Sequence, residues 1–360
     1  MKKIILLFFV LMLNSALFAQ ISDTTSAEVQ DTIKVLSAED NQQAERYYNQ
    51  GVGLFSEGQY SNASSKFDQA IEIKANFPKA YYNRALCYIE LKDLSSALTD
   101  LGSAITLDPN AKFYFRRGVV QVDLNELNDA EADFNKAIRI DDNEIKGKSY
   151  YYMGGISFEK KDYRTAIVYY DSALSIMPAY AYAYNDRGSA NRMLDQYPKA
   201  VEDYSAAISI NPKMIIAYSN RGSVKRKMDD LIGAILDYTK AISIDSNFVL
   251  AYNLRGVTYR EQGKYVLALK DFDKVLSLDD KYVFAYNNRG NVKYKMRNYT
   301  EAIQDYDKAI MLDKSYGYAY LNRGIAKEMI RDQKGACADW RKAYQLGVES
   351  ALAYVNQCKK

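Results

Sequence analysis

Histidine is absent from the 360-residue chain, and cysteine occurs only three times. Without histidine the chain cannot form a Ser-His-Asp or Cys-His catalytic arrangement or a zinc site with a histidine ligand, and three thiols cannot fill a four-cysteine site. The sequence also has no phosphate-binding glycine loop. These absences exclude much of hydrolase and metalloenzyme chemistry. We therefore expect no enzymatic activity, no catalytic, metal-binding or cofactor-binding residues, and no cofactor.

The chain also has little excess charge, with 48 Lys and Arg residues against 45 Asp and Glu residues. Nucleic-acid binding depends on a strong excess of basic residues that neutralise phosphates, so we expect no nucleic-acid partner. Proline occurs only five times, and the 48% hydrophobic content is too high for a disordered chain. Because the length exceeds what one hydrophobic core usually supports, we expect two domains or a repeat array.

The N-terminal residues 1–19 have the pattern of a secretory signal peptide, with Lys2 and Lys3, an apolar run over 4–13, and Ala19 at the end. The alternative is an uncleaved membrane anchor, but the run is shorter than the ~20 residues that span a bilayer. Cleavage after Ala19 would leave 46 basic and 45 acidic residues. Residues 20–40, rich in Ser, Thr and Asp, are predicted to form a flexible leader. We expect an exported protein, either periplasmic, associated with the outer envelope or secreted, with no integral membrane span after cleavage.

Tyrosine is abundant, with 33 copies, and many of these recur at a spacing of 34 residues. Nine tyrosines stand four residues before a glycine or, once, an alanine, and an alanine always follows twelve residues after that small residue. The spacing departs from 34 only as 33 from Ala85 to Gly118 and 36 from Gly118 to Gly154. A ring four residues before a small residue lies one helical turn away on the same face. The pattern predicts two closely packed helices in each repeat.

This pattern resembles the tetratricopeptide repeat, with an aromatic residue at position four, small residues at positions eight and twenty, and an aromatic residue at position twenty-four. Position one of the nine units falls at residues 44, 78, 111, 147, 181, 215, 249, 283 and 317. The resemblance covers residues 41–350 and implies an all-α, right-handed superhelical solenoid of about nine helix pairs. A further amphipathic helix from about residue 349, ending within 351–360, is predicted to cap the last repeat.

Arginine at position seven and aspartate at position twenty-three occur together in seven repeats and are both missing from the first and fourth. This covariation predicts structural ion pairs between the two helices of a repeat, with fork geometry that favours a carboxylate. The alternative is a catalytic acid-base dyad, but the presence of seven identical copies favours a structural role. The predicted pairs are Arg84 with Asp100, Arg117 with Asp133, Arg187 with Asp203, Arg221 with Asp237, Arg255 with Asp271, Arg289 with Asp305, and Arg323 with Asp339.

The cysteines fall into two classes. Cys87 lies in a column of small apolar residues and is predicted to be a buried, unreactive thiol. Cys337 lies ten residues before Gly347, and Cys358 lies eleven after it. If the chain folds back at Gly347, the two cysteines become level, so a disulfide is possible in an oxidising compartment. The alternative is two free thiols.

In the family that the chain resembles, the first helices of the repeats line the inner surface and bind partners. Positions five and twelve change from apolar to polar between the fourth and fifth repeats. Such a surface suits a partner segment with an apolar part and an acidic or polar part. The predicted partner-binding residues are Tyr48, Phe55, Tyr82, Ile89, Phe115, Val122, Tyr151, Phe158, Asn185, Arg192, Ser219, Arg226, Asn253, Arg260, Asn287 and Tyr294.

The sequence therefore predicts a non-enzymatic scaffold that binds an extended or helical segment of a partner protein on its inner surface. Three alternatives stay open. The leader could fill the apolar half of the groove, or two copies could form a homodimer there. Less favoured is an enzyme subunit or a site for a glycan or small molecule.

Overall fold

The computed structural model of the protein describes residues 36–358, which contain α-helices and one 3-10 turn but no β-strand. The predicted signal peptide at 1–19 and most of the predicted leader at 20–40 lie outside the described residues. The chain divides into a first unit that ends at Ile140 and a second that begins at Asp141. The irregular 36-residue spacing between Gly118 and Gly154 spans this division.

The first unit consists of three consecutive helix pairs. Its helices are α1 Ala38–Ser56, α2 Tyr60–Ile73, α3 Pro78–Glu90, α4 Leu94–Leu107, α5 Ala111–Asp123 and α6 Leu127–Arg139. Helix α1 begins inside the predicted leader because the Ser37 hydroxyl accepts a hydrogen bond from the backbone N–H of Asp40 at 3.0 Å. This side-chain cap satisfies one of the N–H groups that a helix start leaves without a partner.

The second unit contains six helix pairs and a C-terminal cap. The pairs are α7 Asn143–Glu159 with α8 Tyr163–Ile176, α9 Ala181–Met193 with α10 Tyr197–Ile210, α11 Ile215–Lys227 with α12 Leu231–Ile244, α13 Val249–Glu261 with α14 Tyr265–Leu278, α15 Val283–Lys295 with α16 Tyr299–Leu312, and α17 Gly317–Met329 with α18 Gln333–Gln345. The cap is a 3-10 turn, Glu349–Ala351, followed by α19 Leu352–Gln357. The expected all-α fold of nine helix pairs with a C-terminal cap is confirmed.

The two helices of each repeat pack closely because the ring at position twenty-four lies against the small residue at position eight. A Cβ atom added to Gly290 would lie 2.7 Å from Cε1 of Tyr306, which is closer than real Cβ contacts. Position eight is alanine only in the second repeat, where position twenty-four is the slimmer Leu101 facing Ala85. The fixed spacing of sixteen residues between positions eight and twenty-four therefore reflects a steric fit between the ring and the glycine.

Two adjacent glycines of α7 provide a direct test of this packing. A Cβ added to Gly154 would lie 2.5 Å from Cε1 of Tyr170, whereas a Cβ added to Gly155 meets nothing within 4 Å. We expect Gly154→Ala to lower the free energy of unfolding by about 1–3 kcal/mol through overpacking. Gly155→Ala is expected to raise it by about 0.5–1 kcal/mol, because glycine weakens a helix interior. Urea unfolding of both variants would measure the difference, and similar effects from the two substitutions would contradict it.

The turn between the two helices of each repeat has the same backbone geometry in all nine repeats. Position fifteen has a positive φ between 56° and 76° in every case, at Gly58, Lys92, Asn125, Lys161, Asp195, Asp229, Gly263, Arg297 and Arg331. This left-handed conformation costs most L-residues about 1–2 kcal/mol, and glycine avoids the cost. Since only two of the nine residues are glycine, helix packing on both sides of the turn imposes the conformation.

The structure contains all seven of the predicted pairs between position seven and position twenty-three. In the fork of Arg255, Nε and one terminal nitrogen each donate to an oxygen of Asp271 at 2.8 Å. The aspartates of these pairs are buried, whereas the arginines keep part of their surface exposed. Arg255 also lies over the ring of Tyr252, with 5.6 Å between the guanidinium carbon and the ring centroid.

Six of the seven arginines have a further, unpredicted contact with the preceding repeat, whereas Arg117 faces Gly102 there and lacks it. The remaining terminal nitrogen of Arg289 donates to Asp273 at 2.7 Å, and that of Arg255 donates to the Thr239 hydroxyl at 2.9 Å. Equivalent bonds join Arg84 to Asp68, Arg187 to Asp171, Arg221 to Ser205 and Arg323 to Asp307. The arginines therefore connect the second helices of successive repeats as well as the two helices within one repeat.

The C-terminal cap covers the last helix pair. Tyr354 lies over Trp340 with 5.0 Å between ring centroids, and Trp340 is fully buried. Cys337 and Cys358 form a disulfide, with their Cα atoms 5.8 Å apart. Cys87 is a buried free thiol, and burial raises its pKa to about 12. The cap is thus attached to α18 by both an aromatic contact and a covalent bond.

Candidate functional site

The first-helix face is the surface formed by positions two, five, six, nine, twelve and thirteen of the first helix in each repeat. The structure buries six of the eight residues predicted at position five, namely Tyr82, Phe115, Asn185, Ser219, Asn253 and Asn287, and half-buries Tyr48 and Tyr151. The prediction that this column contacts a partner is therefore corrected. Position five lies between the first helices of adjacent repeats, where the next repeat covers it.

The asparagines at position five hold neighbouring repeats together. The side-chain amide of Asn220, at position six of the next repeat, donates to Oδ1 of Asn185 at 3.1 Å. The same bond recurs from Asn288 to Asn253 at 3.1 Å and from Asn322 to Asn287 at 2.9 Å. These asparagines were predicted to bind a partner, but their side-chain oxygens accept hydrogen bonds within the protein.

The aromatic residues at position five have the same structural role. Tyr82 stacks on Phe113 at 4.9 Å, and the Tyr48 hydroxyl accepts a hydrogen bond from the side-chain amide of Asn83 at 2.9 Å. Tyr151 packs against Tyr180 with 4.9 Å between ring centroids. The apolar half of the predicted groove is consequently part of the packing between repeats.

The eight residues predicted at position twelve are half-buried and remain on the first-helix face, at Phe55, Ile89, Val122, Phe158, Arg192, Arg226, Arg260 and Tyr294. The change from apolar to basic side chains in this column is therefore a property of the surface. Arg226 is paired, since a terminal nitrogen donates to Oε1 of Glu261, at position thirteen of the next repeat, at 2.7 Å. Arg260 faces Lys295 at the corresponding position, so the same pairing cannot form.

A cavity of about 430 Å³, here called the Arg260 cavity, opens on the first-helix face of the seventh to ninth repeats. Its polar lining consists of Arg260, Glu261, Asn291, Lys295 and Asn322. Among residues 36–358, Arg260 and Lys295 form no ion pair within 4.0 Å, while the nearby Glu261 is engaged by Arg226. The aromatic part of the lining comes from Tyr265, Tyr294 and Tyr306. Within the described chain, the cavity thus presents two cations without ion pairs beside tyrosine rings, and its one carboxylate, Glu261, is held by Arg226.

An exposed apolar column at position two follows the same face in the second unit. Its members are Tyr182, Ile216, Leu250, Phe284 and Tyr318, and each side chain is 37–57% exposed. In the first four repeats the same position carries Glu45, Lys79, Lys112 and Lys148. None of these residues was predicted to bind a partner, although the change from charged to apolar side chains is visible in the sequence.

Part of this column forms a continuous aromatic edge. Phe284 contacts Tyr282 at 5.9 Å and Tyr316 at 5.3 Å between ring centroids, and Tyr316 contacts Tyr318 at 6.3 Å. Contiguous exposed apolar surface of this kind is typical of protein-binding sites. The exposed apolar column at position two therefore lies in the fifth to ninth repeats, whereas the sequence predicted apolar partner-binding residues in the first four.

Over residues 36–358, no three acidic or cysteine side chains are grouped so that they could hold a metal ion. No helix within the same range combines the length and the hydropathy needed to cross a bilayer.

Comparison with known proteins identifies the repeats by sequence. Three sequence models described as tetratricopeptide repeats match the chain, one at residues 78–110, 249–282 and 283–316, one at 53–92, and one at 111–144 and 215–248. Together they cover residues 53–144 and 215–316, which is more than half of the chain.

Individual relatives match over shorter stretches. The human tetratricopeptide repeat protein 6 is 39% identical over 69 residues, which is 18% of this chain and 13% of the relative. The Hsp70-Hsp90 organizing protein 3 of Arabidopsis thaliana is 39% identical over 67 residues, or 19% of this chain and 12% of the relative. The chain thus matches only about an eighth of the length of these relatives.

Solved structures share the fold over a longer range. A tetratricopeptide repeat protein from Parabacteroides merdae aligns with a TM-score of 0.57 and 21% identity, over 69% of this chain and 99% of the other. The C-terminal part of a repeat protein from Cytophaga hutchinsonii aligns with a TM-score of 0.54 and 19% identity, over 67% of this chain and 98% of the other. At this level of identity the likeness concerns the fold alone.

Proposed function

Because the chain belongs to the tetratricopeptide repeat family, we propose that it is a non-enzymatic scaffold that binds an extended or helical segment of a partner protein on the first-helix face of its second unit. The observation that carries this proposal is the Arg260 cavity beside the exposed apolar column. The two features together offer charge recognition and apolar contact on one face of a rigid frame.

The charges of the Arg260 cavity indicate the chemistry of the partner. Arg260 and Lys295 lack carboxylate partners within the described chain, and a guanidinium group can bind a carboxylate through two parallel hydrogen bonds. The rings of Tyr294 and Tyr306 would cover the apolar part of the bound side chain. An acidic residue of the partner therefore fits this position best.

The exposed apolar column would bind the apolar residues of the same segment. Its side chains recur once per repeat on a preformed surface, so binding needs little reorganisation of the backbone. The Arabidopsis relative is named as an organizing protein for Hsp70 and Hsp90, which supports a role in protein binding. Its match covers about two repeats, so it does not indicate which partner this chain binds.

We also propose that the protein is exported. The signal-peptide pattern at residues 1–19 supports export, because it has a basic start, an apolar run and a small residue at the cleavage position. The disulfide between Cys337 and Cys358 agrees with this location, since structural disulfides persist in oxidising compartments.

Affinity capture from a native cell-envelope extract tests the proposed function. The variant Arg260→Glu/Lys295→Glu reverses both charges of the Arg260 cavity and is expected to bind the captured partner at least tenfold more weakly. A matched control, Lys270→Glu/Lys274→Glu, makes the same change in net charge on exposed lysines of α14. This control should bind like the parent.

The outcome is read by quantitative mass spectrometry of the captured proteins. Equal capture by the parent and by the Arg260/Lys295 variant would contradict the proposed site. Capture of only the protein's own chain by the parent would instead favour self-association on this face.

A further inference from the structure

A second cavity, of about 390 Å³, lies on the first-helix face between the fourth and fifth repeats. We call it the Asp186 pocket. At position nine, which forms its floor, the fourth repeat has Gly155, whereas the other repeats have Val52, Leu86, Val119, Ser189, Ser223, Val257, Asn291 and Ile325. Because Gly155 has no side chain, the pocket opens beside the ring of Tyr170.

The pocket contains a half-buried carboxylate that differs from the buried aspartates at position twenty-three. Asp186 accepts hydrogen bonds from the Tyr151 hydroxyl at 2.7 Å and from the side-chain amide of Asn185 at 2.9 Å. It forms no ion pair within 4.0 Å among residues 36–358, whereas each buried aspartate at position twenty-three has an arginine. Burial is the main cause that raises the pKa of Asp186. Partial removal of a carboxylate from water without a cation costs free energy, and a cationic ligand would offset that cost.

The remaining lining suits a cation with an apolar stem. Phe158 and Tyr170 form aromatic walls, and Glu159 adds a second carboxylate. Arg192 also lines the pocket but forms no ion pair with Asp186 within 4.0 Å, so the two carboxylates exceed the positive charge by one. An aromatic face beside a carboxylate binds ammonium and guanidinium groups favourably.

We infer that the Asp186 pocket anchors a lysine or arginine side chain of the partner segment. This inference rests on the proposed function and extends it. The Asp186 pocket in the fourth and fifth repeats selects a basic residue, while the Arg260 cavity in the seventh to ninth repeats selects an acidic one. The second unit therefore binds a partner segment that has opposite charges at its two ends. The positions of the two charges fix the direction in which the segment binds.

The pocket can be tested without knowing the partner, with n-butylguanidinium and n-butylammonium as small probes. Their binding to the full-length protein is followed by NMR, through saturable shifts of the Gly155 and Ser189 amides. We expect saturable binding of at least one of these cations. The neutral probe n-butanol and the anion butyrate should produce no saturable shifts.

Two variants test the pocket with residues that other repeats already have at the same positions, so both variants are expected to fold. Asp186→Asn retains an acceptor for Tyr151 and places at position six the residue that five other repeats have there, Asn49, Asn83, Asn220, Asn288 and Asn322. Gly155→Val fills the floor with the residue that stands there in three other repeats. Both variants are expected to weaken cation binding at least tenfold. The control Asp229→Asn removes an equal charge from an exposed turn and should leave binding unchanged.

The inference would be overturned by cation binding that persists in Asp186→Asn, by absence of saturable binding in the parent, or by butyrate or n-butanol binding as well as the cations. The probes report on the pocket alone, whereas the capture experiment reports on the Arg260 cavity. If one experiment contradicts its proposal, the result of the other experiment can therefore still be interpreted.

Discussion

Arg255→Met is expected to lower the local stability of the seventh repeat by about 3–5 kcal/mol, because it leaves the Asp271 carboxylate buried without a cation. Asp271 is only 4% exposed, and Arg255 supplies both of its fork hydrogen bonds. The second contact of Arg255, to the exposed Thr239 hydroxyl, can be replaced by water. The main cost therefore comes from the stranded carboxylate.

The eighth repeat offers a matched control. Asp305 receives Arg289 but also Lys293, whose ammonium nitrogen lies 2.8 Å from its other oxygen. After Arg289→Met the carboxylate keeps a cationic partner, so we expect a smaller loss of about 1–3 kcal/mol. The double variant Arg255→Met/Asp271→Leu removes both charges and should recover at least half of the loss caused by Arg255→Met alone.

Native-state hydrogen exchange is the measurement for these variants, because a repeat array can open locally and one global free energy does not describe it. Exchange of the α13 and α14 amides reports on the seventh repeat, and that of α15 and α16 on the eighth. Equal losses in the Arg255 and Arg289 variants would show that an unpaired carboxylate is not the source of the cost. So would a double variant less stable than Arg255→Met.

Reduction of the disulfide is expected to lower the free energy of opening of the C-terminal cap by about 2–4 kcal/mol, since the bond closes a loop over a sequence separation of 21 residues. Helix α19 has only six residues and buries none of them, so little else holds it in place. With the bond reduced, Tyr354 should leave the ring of Trp340 and expose it to water. The Cys337→Ser/Cys358→Ser variant should behave in the same way without reductant.

Tryptophan fluorescence measures this opening directly because Trp340 is the only tryptophan in the chain. We expect a red shift of its emission, at denaturant concentrations that leave helical circular dichroism almost unchanged. Cys87 remains a buried, protonated thiol, so alkylation of the folded reduced protein should label only Cys337 and Cys358. Identical fluorescence unfolding curves with and without reductant would show that the disulfide does not stabilise the cap.

The repeat fold was predictable because it depends on residue types that recur at fixed spacing. The contact between Gly290 and Tyr306, or between Arg255 and Asp271, joins two positions that both repeat along the chain. The contact from position seven to the preceding repeat was missed because its acceptor varies, as Asp273, Ser205 or Thr239. Each of these residues can accept the bond, so no single residue type marks the position.

The candidate site was harder to predict because exposure depends on the neighbouring repeat. Position five of a lone helix pair would face outward, but the next repeat covers it, as the bond from Asn220 to Asn185 shows. The next repeat does not cover position two, so the side chain of Phe284 is 53% exposed. The Asp186 pocket opens because Gly155 has no side chain, and the Arg260 cavity is basic because both Arg260 and Lys295 line it. Each cavity is lined by residues of several helices, so no single column of the repeat alignment predicts it.

The arginine at position seven has a consequence for the length of the protein. Each of the sixth, seventh and eighth repeats donates from a guanidinium group to the repeat before it, and the acceptor at position twenty-five is Ser205, Thr239 or Asp273. Deleting residues 249–282, one whole unit, would place Arg289 opposite Thr239 and rebuild the junction that Arg255 now makes. The same deletion removes Glu261, so Arg226 would face Lys295 and lose its ion pair. A change in the number of repeats therefore preserves the junction of the position-seven arginine but alters the charges of the first-helix face.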